Sequence, residues 1–414
     1  MCVCCGLNSA GARMHFVPTA PEVGIPIILV GLGVGIHGLV KRSFFSPMHI
    51  FFFVHLMALG FCILQLFWTT NRFGTPFYLT IASVYVTFSA GCWLGGRKST
   101  APKCDVSSDD WKDVCLIGFG IVSLFLLSRI AGGWPMLSNN PNNARMALFS
   151  GKFGAILFEI GMLGGVIAAA GAALRKVWYY YVLLVVVMAE ILLTGNRGQA
   201  LLFIFFALCL HEVVEKKSIL KAGLLTAVAF GLVFTLVGIF RSREGNKLQE
   251  AASLFNSLKM LYMYICNGYW NFNVGIEKVL DGRQGLTWGV SSFSGFWFWF
   301  FDVFGVQKSF LWDSVFNEST LRYVGLNSIC YLWPLIKDFG LVAAMLINVG
   351  IGYVLMRVYR NAESGGLSAY CYAFLGYVIF SSNNLLWTSE GLSTMVFLLL
   401  YSYVKFFKNG AATA

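Results

Sequence analysis

Charge is what this sequence has least of. Asp, Glu, Lys and Arg make up only 12% of its 414 residues, while 57% are hydrophobic; soluble domains carry roughly a quarter charged residues. That balance excludes a soluble globular domain and makes length useless as a count of domains. The net charge of +11 does not point to nucleic acid, because the basic residues are scattered between apolar runs, as topology signals are. Internal repeats, low-complexity linkers and symmetry between halves are all missing, and the last of these argues against an inverted-repeat transporter. No glycine-rich loop with a lysine, the soluble route to phosphate, occurs. No Asp-x-Asp cluster suggests a metal. Residues 1–21 hold no apolar core of signal-peptide length, so the first span is expected to direct insertion, with Met14 an alternative start.

Cysteine is present but says little. Cys2, Cys4 and Cys5 lack the second ligand pair that zinc would need. Cys62, Cys92, Cys209 and Cys371 fall in apolar runs and read as small apolar residues. Cys266 and Cys330 fall in one external connection, where an oxidising compartment would allow them to pair.

What the chain has is length of apolar run. About eleven segments approach the ~20 residues that a bilayer requires, with a range of about ten to thirteen. They are residues 25–40, 50–68, 77–94, 114–130, 153–173, 178–193, 200–214, 224–240, 339–355, 367–386 and 392–406. The expected fold is therefore an all-α, polytopic integral membrane protein. Residues 1–240 hold spans one to eight, 241–338 form a large external connection, and 339–414 hold the last three. Basic residues in short loops decide orientation. Fifteen lie on one side, among them Lys41, Arg42, Arg175, Lys176, Lys216 and Arg357, against six on the other. The expected topology is N-terminus out and C-terminus in.

The external connection is not hydrophilic. Residues 254–269 carry Leu254, Leu258, Leu261, Tyr262 and Ile265 at helical spacing, which suits a helix lying on the membrane. Residues 285–306 crowd Trp288, Phe293, Phe296, Trp297, Phe298, Trp299, Phe300 and Phe301. They read as an interfacial aromatic belt or re-entrant segment, or as a wall that contacts sugar or lipid.

The few membrane-level charges carry the functional argument, since hydrocarbon rejects them unless they are used. Glu159 and Glu190 fall in the outer parts of spans five and six. Arg197 follows in the turn 195–198, whose glycines allow a tight backbone. Arg241 and Arg243 leave span eight, Asp338 opens span nine, and Glu390 precedes the last span. Arg145 lies in an outer loop. Under the expected topology all of these meet at the outer leaflet. Each also has a structural reading: a Glu190–Arg197 ion pair, a cap for Asp338, snorkelling anchors for Arg241 and Arg243. Together the arginines suit an anion such as a lipid pyrophosphate, because guanidinium binds phosphate oxygens in a fork and stays charged.

Two stretches, Leu193-Thr194-Gly195-Asn196-Arg197-Gly198 and residues 327–340 (Asn-Ser-Ile-Cys-Tyr-Leu-Trp-Pro-Leu-Ile-Lys-Asp-Phe-Gly), resemble the O-antigen polymerase, or oligosaccharide repeat unit polymerase (Wzy), family. The large external connection and the glycine-rich helix after it match that plan too. The resemblance implies a GT-C-like membrane glycosyltransferase at the periplasmic face of the bacterial inner membrane. Its substrate would be an undecaprenyl-pyrophosphate-linked oligosaccharide, joined into O-antigen, capsule or exopolysaccharide without a metal or other cofactor. A chain-length regulator of the Wzz type and a flippase would be partners, and nucleic acid would not. Arg197, Arg241, Arg243 and Arg145 would hold the pyrophosphate. Arg197, Asp338, Glu190 and Glu390 are the catalytic candidates, the carboxylates being alternatives for the base. Related ligases use a histidine; here His15 is in the N-terminal tail and His37, His49, His55 and His211 lie in or near spans or at the inner side, so a histidine base is not expected. An O-antigen ligase is the nearest alternative function and a lipid-linked oligosaccharide flippase the next.

Overall fold

The computed structural model describes residues 21–64, 66, 73–96, 110–138, 143–144, 148, 152–220, 223 and 332–381, with scattered positions from 262 to 292 and from 396 to 401. Within these, the side chains of Pro21, Asp110, Lys152, Ala155, Arg197 and residues 378–381 are not described. The expected eighth span, 224–240, lies outside the described residues.

Among the described residues the chain is helical, without a strand. Nine helices have both ends among the described residues: α1 (Pro21–Val40), α2 (Pro47–Leu64), α3 (Thr75–Gly95), α4 (Asp110–Ile130), α5 (Lys152–Leu174), α6 (Trp178–Leu193), α7 (Arg197–Val213), α8 (Trp333–Ala362) and α9 (Gly366–Ser381). A single 3-10 turn, Pro135–Leu137, follows α4. Six of these helices are long and apolar enough to cross a membrane, and α6 and most of α7 are shorter apolar helices. Only a helix closes all its backbone hydrogen bonds within one segment, which is what a lipid environment demands. The protein is thus a helical, membrane-embedded bundle. Large apolar side chains such as Leu29, Val86, Trp93, Phe119, Val185 and Val342 are exposed on its outside, as a lipid-facing surface requires.

Packing is by small residues, because apolar side chains gain nothing by leaving lipid for one another. The closest crossing joins α3 to α8, where a Cβ on Gly91 would meet the Val349 carbonyl at 2.1 Å and one on Gly352 the Phe88 carbonyl at 2.4 Å. Gly120 of α4 faces Gly164 of α5 in the same way. Asn348, fully buried in α8, donates from Nδ2 to the Val84 carbonyl (3.0 Å) and to Thr87 Oγ1 (2.9 Å) of α3. The remaining contacts place α5 against α4, α6 and α7, while α9 touches α2, α7 and α8.

Helix direction alternates from α1 to α7, and α8 runs in the same direction as α7, so turns gather at two ends. One end, the basic end, carries the turns after α1, α5, α7 and α8. Arg175 pairs with Asp113 at 3.1 Å, and Tyr401 donates to the same carboxylate at 2.7 Å. Lys176 and Lys217 both pair with Glu215, and Lys216 pairs with Glu363 at 2.7 Å. At this end Glu212 of α7, buried, accepts the Phe45 amide at 2.7 Å, and Tyr372 of α9 donates to the Phe45 carbonyl, fastening the turn before α2. The other end carries the 193–197 turn and the start of α8.

The connection departs from the expected surface helix. Tyr262, Cys266, Tyr269, Phe272 and Ile276 recur at helical spacing and are all buried. Tyr262 donates to the Phe61 carbonyl and accepts the Leu66 amide, at 2.8 and 3.0 Å. Cys62 donates to the Cys266 carbonyl at 3.6 Å, and Tyr269 meets His55 Nδ1 at 2.6 Å. This segment docks into the bundle against α2 and α3, because its stripe carries tyrosine hydroxyls that find protein partners there and would find none among acyl chains. Cys266 is a free, buried thiol in this arrangement, not a disulfide partner; Cys330 lies outside the described residues.

Candidate functional site at the end opposite the lysines

The first motif is a helix stop. Gly195 has φ 83°, in the left-handed region that suits glycine. Its amide donates to the Leu192 carbonyl at 2.9 Å, and the Asn196 amide donates to the Ile191 carbonyl at 3.3 Å. This pair is the Schellman arrangement that closes a helix C-terminus. Thr194, fully buried, donates to the Ile191 carbonyl at 2.6 Å and accepts from Asn196 Nδ2 at 2.9 Å. Helix α7 then begins at Arg197 with no separating linker. Tyr377 of α9 donates to the Gly198 carbonyl. Arg197 is placed at the first position of α7, at the end of the bundle opposite the lysine-rich turns.

The second motif is a broken helix. Gly340 sits at φ 78°, ψ 171°, inside α8, so the segment up to Phe339 is a short helix and the membrane-crossing part follows the break. Sequence reading starts that span at 339 and treats Asp338 as its opening cap. Instead Asp338 belongs to the short helix before the break and is fully buried. Its Oδ2 accepts the amide of Ser292, and its carbonyl accepts the amide of Trp288 at 3.3 Å. The carboxylate thus fastens the aromatic-rich connection to the helix break. A cap serves the orphan amides of its own helix; here amides of the connection take that place.

Beside Asp338, Lys337 is also buried, with 1% exposure. Trp333, one turn earlier, lies with its ring against Gly275, where an added Cβ would meet ring atoms at 2.3 Å. Sequence reading nominates neither residue, although both stand in the quoted motif next to Asp338. A lysine in a membrane protein is read first as a topology signal, and only burial separates this one from the others.

The remaining candidates distribute as follows. Glu190 is half-buried near the same end of α6, and its Oε2 has no hydrogen-bond partner among the described residues. Its expected partner, the Arg197 guanidinium, is not among the described side chains. Glu159 of α5 is buried. Arg145, Arg241, Arg243 and Glu390 lie outside the described residues. Helix α9 holds the Gly198 carbonyl through Tyr377 and also contacts α8. His55, buried and hydrogen-bonded to Tyr269, is held within the bundle, while His37 and His49 pair at 2.9 Å at the basic end. Among the described residues, no group of three or more His, Cys, Asp or Glu side chains is arranged to hold a metal ion.

Chemically, this end offers a tight helix stop that presents an arginine backbone position, an oriented buried carboxylate, a buried ammonium and a half-buried glutamate. No protein-family profile matches the chain, and no curated protein or solved structure does so.

Proposed function

We propose that this protein is a membrane glycosyltransferase that polymerises undecaprenyl-pyrophosphate-linked oligosaccharide repeats at the outer face of a bacterial inner membrane. The observation that supports the reading is that the 193–198 turn and the start of α8 lie at the same end of the bundle, opposite the lysine-rich turns. Short-loop lysines and arginines favour the cytoplasmic side, so this end corresponds to the outer leaflet.

The chemistry is a displacement at the anomeric carbon. The acceptor sugar hydroxyl attacks that carbon, the bond to the pyrophosphate oxygen breaks, and the pyrophosphate leaves with the electron pair. Fixed cations aimed at the departing oxygens lower the barrier; Arg197 is first for this role, with Arg241, Arg243 and Arg145 behind it. The hydroxyl proton passes to a carboxylate. Asp338, Glu190 and Glu390 remain alternatives, of which Asp338 is already oriented by the Ser292 amide.

The test is glycan length in a deletion strain complemented with wild type or Arg197→Ala. Wild type restores a ladder of repeats, and Arg197→Ala leaves a single repeat on the lipid. Loss of even that repeat in the deletion strain points to ligation or flipping and sinks the polymerase reading. An unchanged ladder with Arg197→Ala removes Arg197 from the mechanism.

A further inference from the structure

The docked connection meets α2 in a fixed register. Tyr262 bonds to the backbone of Phe61 and Leu66, at 2.8 and 3.0 Å. Cys266, one helical turn on, lies opposite Cys62, whose Sγ is 3.6 Å from the Cys266 carbonyl oxygen. Tyr269 then reaches His55, at 2.6 Å to Nδ1. Partner numbers fall on α2 as they rise on the connection, so the two segments run antiparallel, with the cysteines between two tyrosine clamps. The two thiols are neighbours as well. Both residues are 0% exposed, and both thiols are reduced in this arrangement. Cys62 stands two residues before Leu64, where α2 ends on the side opposite the lysine-rich turns. It is therefore about 3 Å from that helix end along the axis.

We infer that Cys62 and Cys266 are the two halves of a disulfide that locks the connection onto α2. The inference rests on the outward orientation of this end, not on polymerase chemistry. Structural disulfides persist in oxidising compartments, and this end faces one under that orientation. A bridge needs Cα atoms within about 7 Å and Cβ atoms that face each other. Contact between the Cys62 sulfur and the Cys266 backbone meets the first need, and a change of rotamer about χ1 turns that sulfur from the carbonyl to the thiol. The oxidant is a disulfide of the outer compartment. One thiol loses its proton and attacks that disulfide, expelling a thiolate and forming a mixed disulfide. The second thiol, also deprotonated, attacks the mixed disulfide, so that the Sγ–Sγ bond forms and a second thiolate leaves. Two protons and two electrons pass to the oxidant, which ends as two thiols. Burial closes both sulfurs to such a partner once the helix is seated, so exchange takes place as the connection docks. The bond then spans 204 positions of chain. The segment it anchors also supplies the Trp288 and Ser292 amides that hold Asp338.

The experiment is mass mapping of the full chain from acid-quenched membranes, with free thiols alkylated in denaturant before any reductant is added. The peptides that hold Cys62 and Cys266 are expected as one linked species that reductant separates, with neither cysteine alkylated beforehand. In Cys62→Ala, Cys266 is expected to be alkylated without reductant. Alkylation of both cysteines in unreduced wild type overturns the pair, as does a link from Cys266 to Cys330. Cys266 that stays protected in Cys62→Ala overturns it too. Should that variant fail to accumulate, the wild-type map decides alone, because it needs no substitution. Orientation is read in parallel from Lys217→Cys and a membrane-impermeant thiol reagent. Free Cys62 and Cys266 in a chain labelled at Lys217→Cys only after the cells are opened overturn the pair and leave the orientation standing. Free thiols with labelling in intact cells overturn both. A linked pair in a chain that makes no glycan ladder keeps the disulfide and sinks only the polymerase reading.

Discussion

At the scale of single residues, two glycines do different work from the rest. Gly340 adopts φ 78°, ψ 171°, and an added Cβ would find its nearest atom, in Leu286, at 3.9 Å. Space is therefore available, and the obstacle to any other residue is the backbone angle alone. Gly340→Ala should lower stability by about 1–3 kcal/mol, the cost of a strained backbone position, read as a drop in the thermal unfolding midpoint in detergent. An unchanged midpoint would mean that the break is not required. Gly195 closes α6 on the same principle, and its neighbours Thr194 and Asn196 spend their side chains on the turn itself. The conspicuous Thr-Gly-Asn-Arg-Gly signal is thus largely a folding instruction, which positions Arg197 as the first residue of a helix. Asp338 was legible as a buried-level charge. Its partner was not, because Ser292 stands 46 positions away in a segment whose composition says only that it is aromatic.

At the scale of elements, α3 and α8 form the closest pair, and there the obstacle is space. Gly91→Leu or Gly352→Leu should separate the helices, since the Cβ alone would fall 2.1–2.4 Å from a carbonyl oxygen. Loss of a disulfide engineered across that crossing in either variant is the measurement; retained cross-linking would show that the crossing tolerates side chains. Asn348→Leu should cost less, on the order of 0.6 kcal/mol, because interhelical hydrogen bonds in membranes are weak on average, and its midpoint should fall less than that of either glycine variant. The connecting segment shows where periodicity stops informing. Spacing predicts a helix over 254–269, of which Tyr262, Cys266, Gly268 and Tyr269 are described and are helical. A stripe of apolar and tyrosine residues is equally suited to a membrane surface or to a bundle, and the hydroxyl partners on α2 choose the bundle.

At the scale of the whole molecule, the two ends differ electrically. The basic end is laced by ion pairs, Lys176 to Glu215 and Lys216 to Glu363 between turns and Lys217 to Glu215 within one. The hydrogen bond from Lys176 holds the Glu215 carboxyl below its ordinary value, and that bond raises Lys176 in turn. A depressed carboxyl contributes stability that is present above its unfolded value and is lost as pH falls through the folded one. The pair is partly exposed, at 37% and 26%, so the effect is small, below about 1 kcal/mol. The midpoint of wild type should therefore decline slightly more than that of Glu215→Gln as pH falls below about 4, the ordinary glutamate range. Parallel declines would show that the pairs are ornamental. For topology, a cysteine placed at Lys217 should react with a membrane-impermeant thiol reagent only after the cells are opened. Labelling in intact cells would invert the bundle and remove the outer-leaflet site.

Sequence alone determined that this chain lives in a membrane, where most of its described helices lie, α8 (Trp333–Ala362) extending well beyond the expected 339–355, and some of the charges hydrocarbon would reject, Lys337 and Glu212 not among them. Those properties are local: they depend on run length and on the cost of charge in lipid, both readable along the chain. Tertiary structure alone decided which helices touch, that α8 breaks at Gly340, that the connection enters the bundle, and that Lys337 is buried while Lys216 and Lys217 are exposed. Helices that are apolar on every side carry no polar face to say which way they turn, so their neighbours are chosen by small-residue fit and by hydrogen bonds between distant positions.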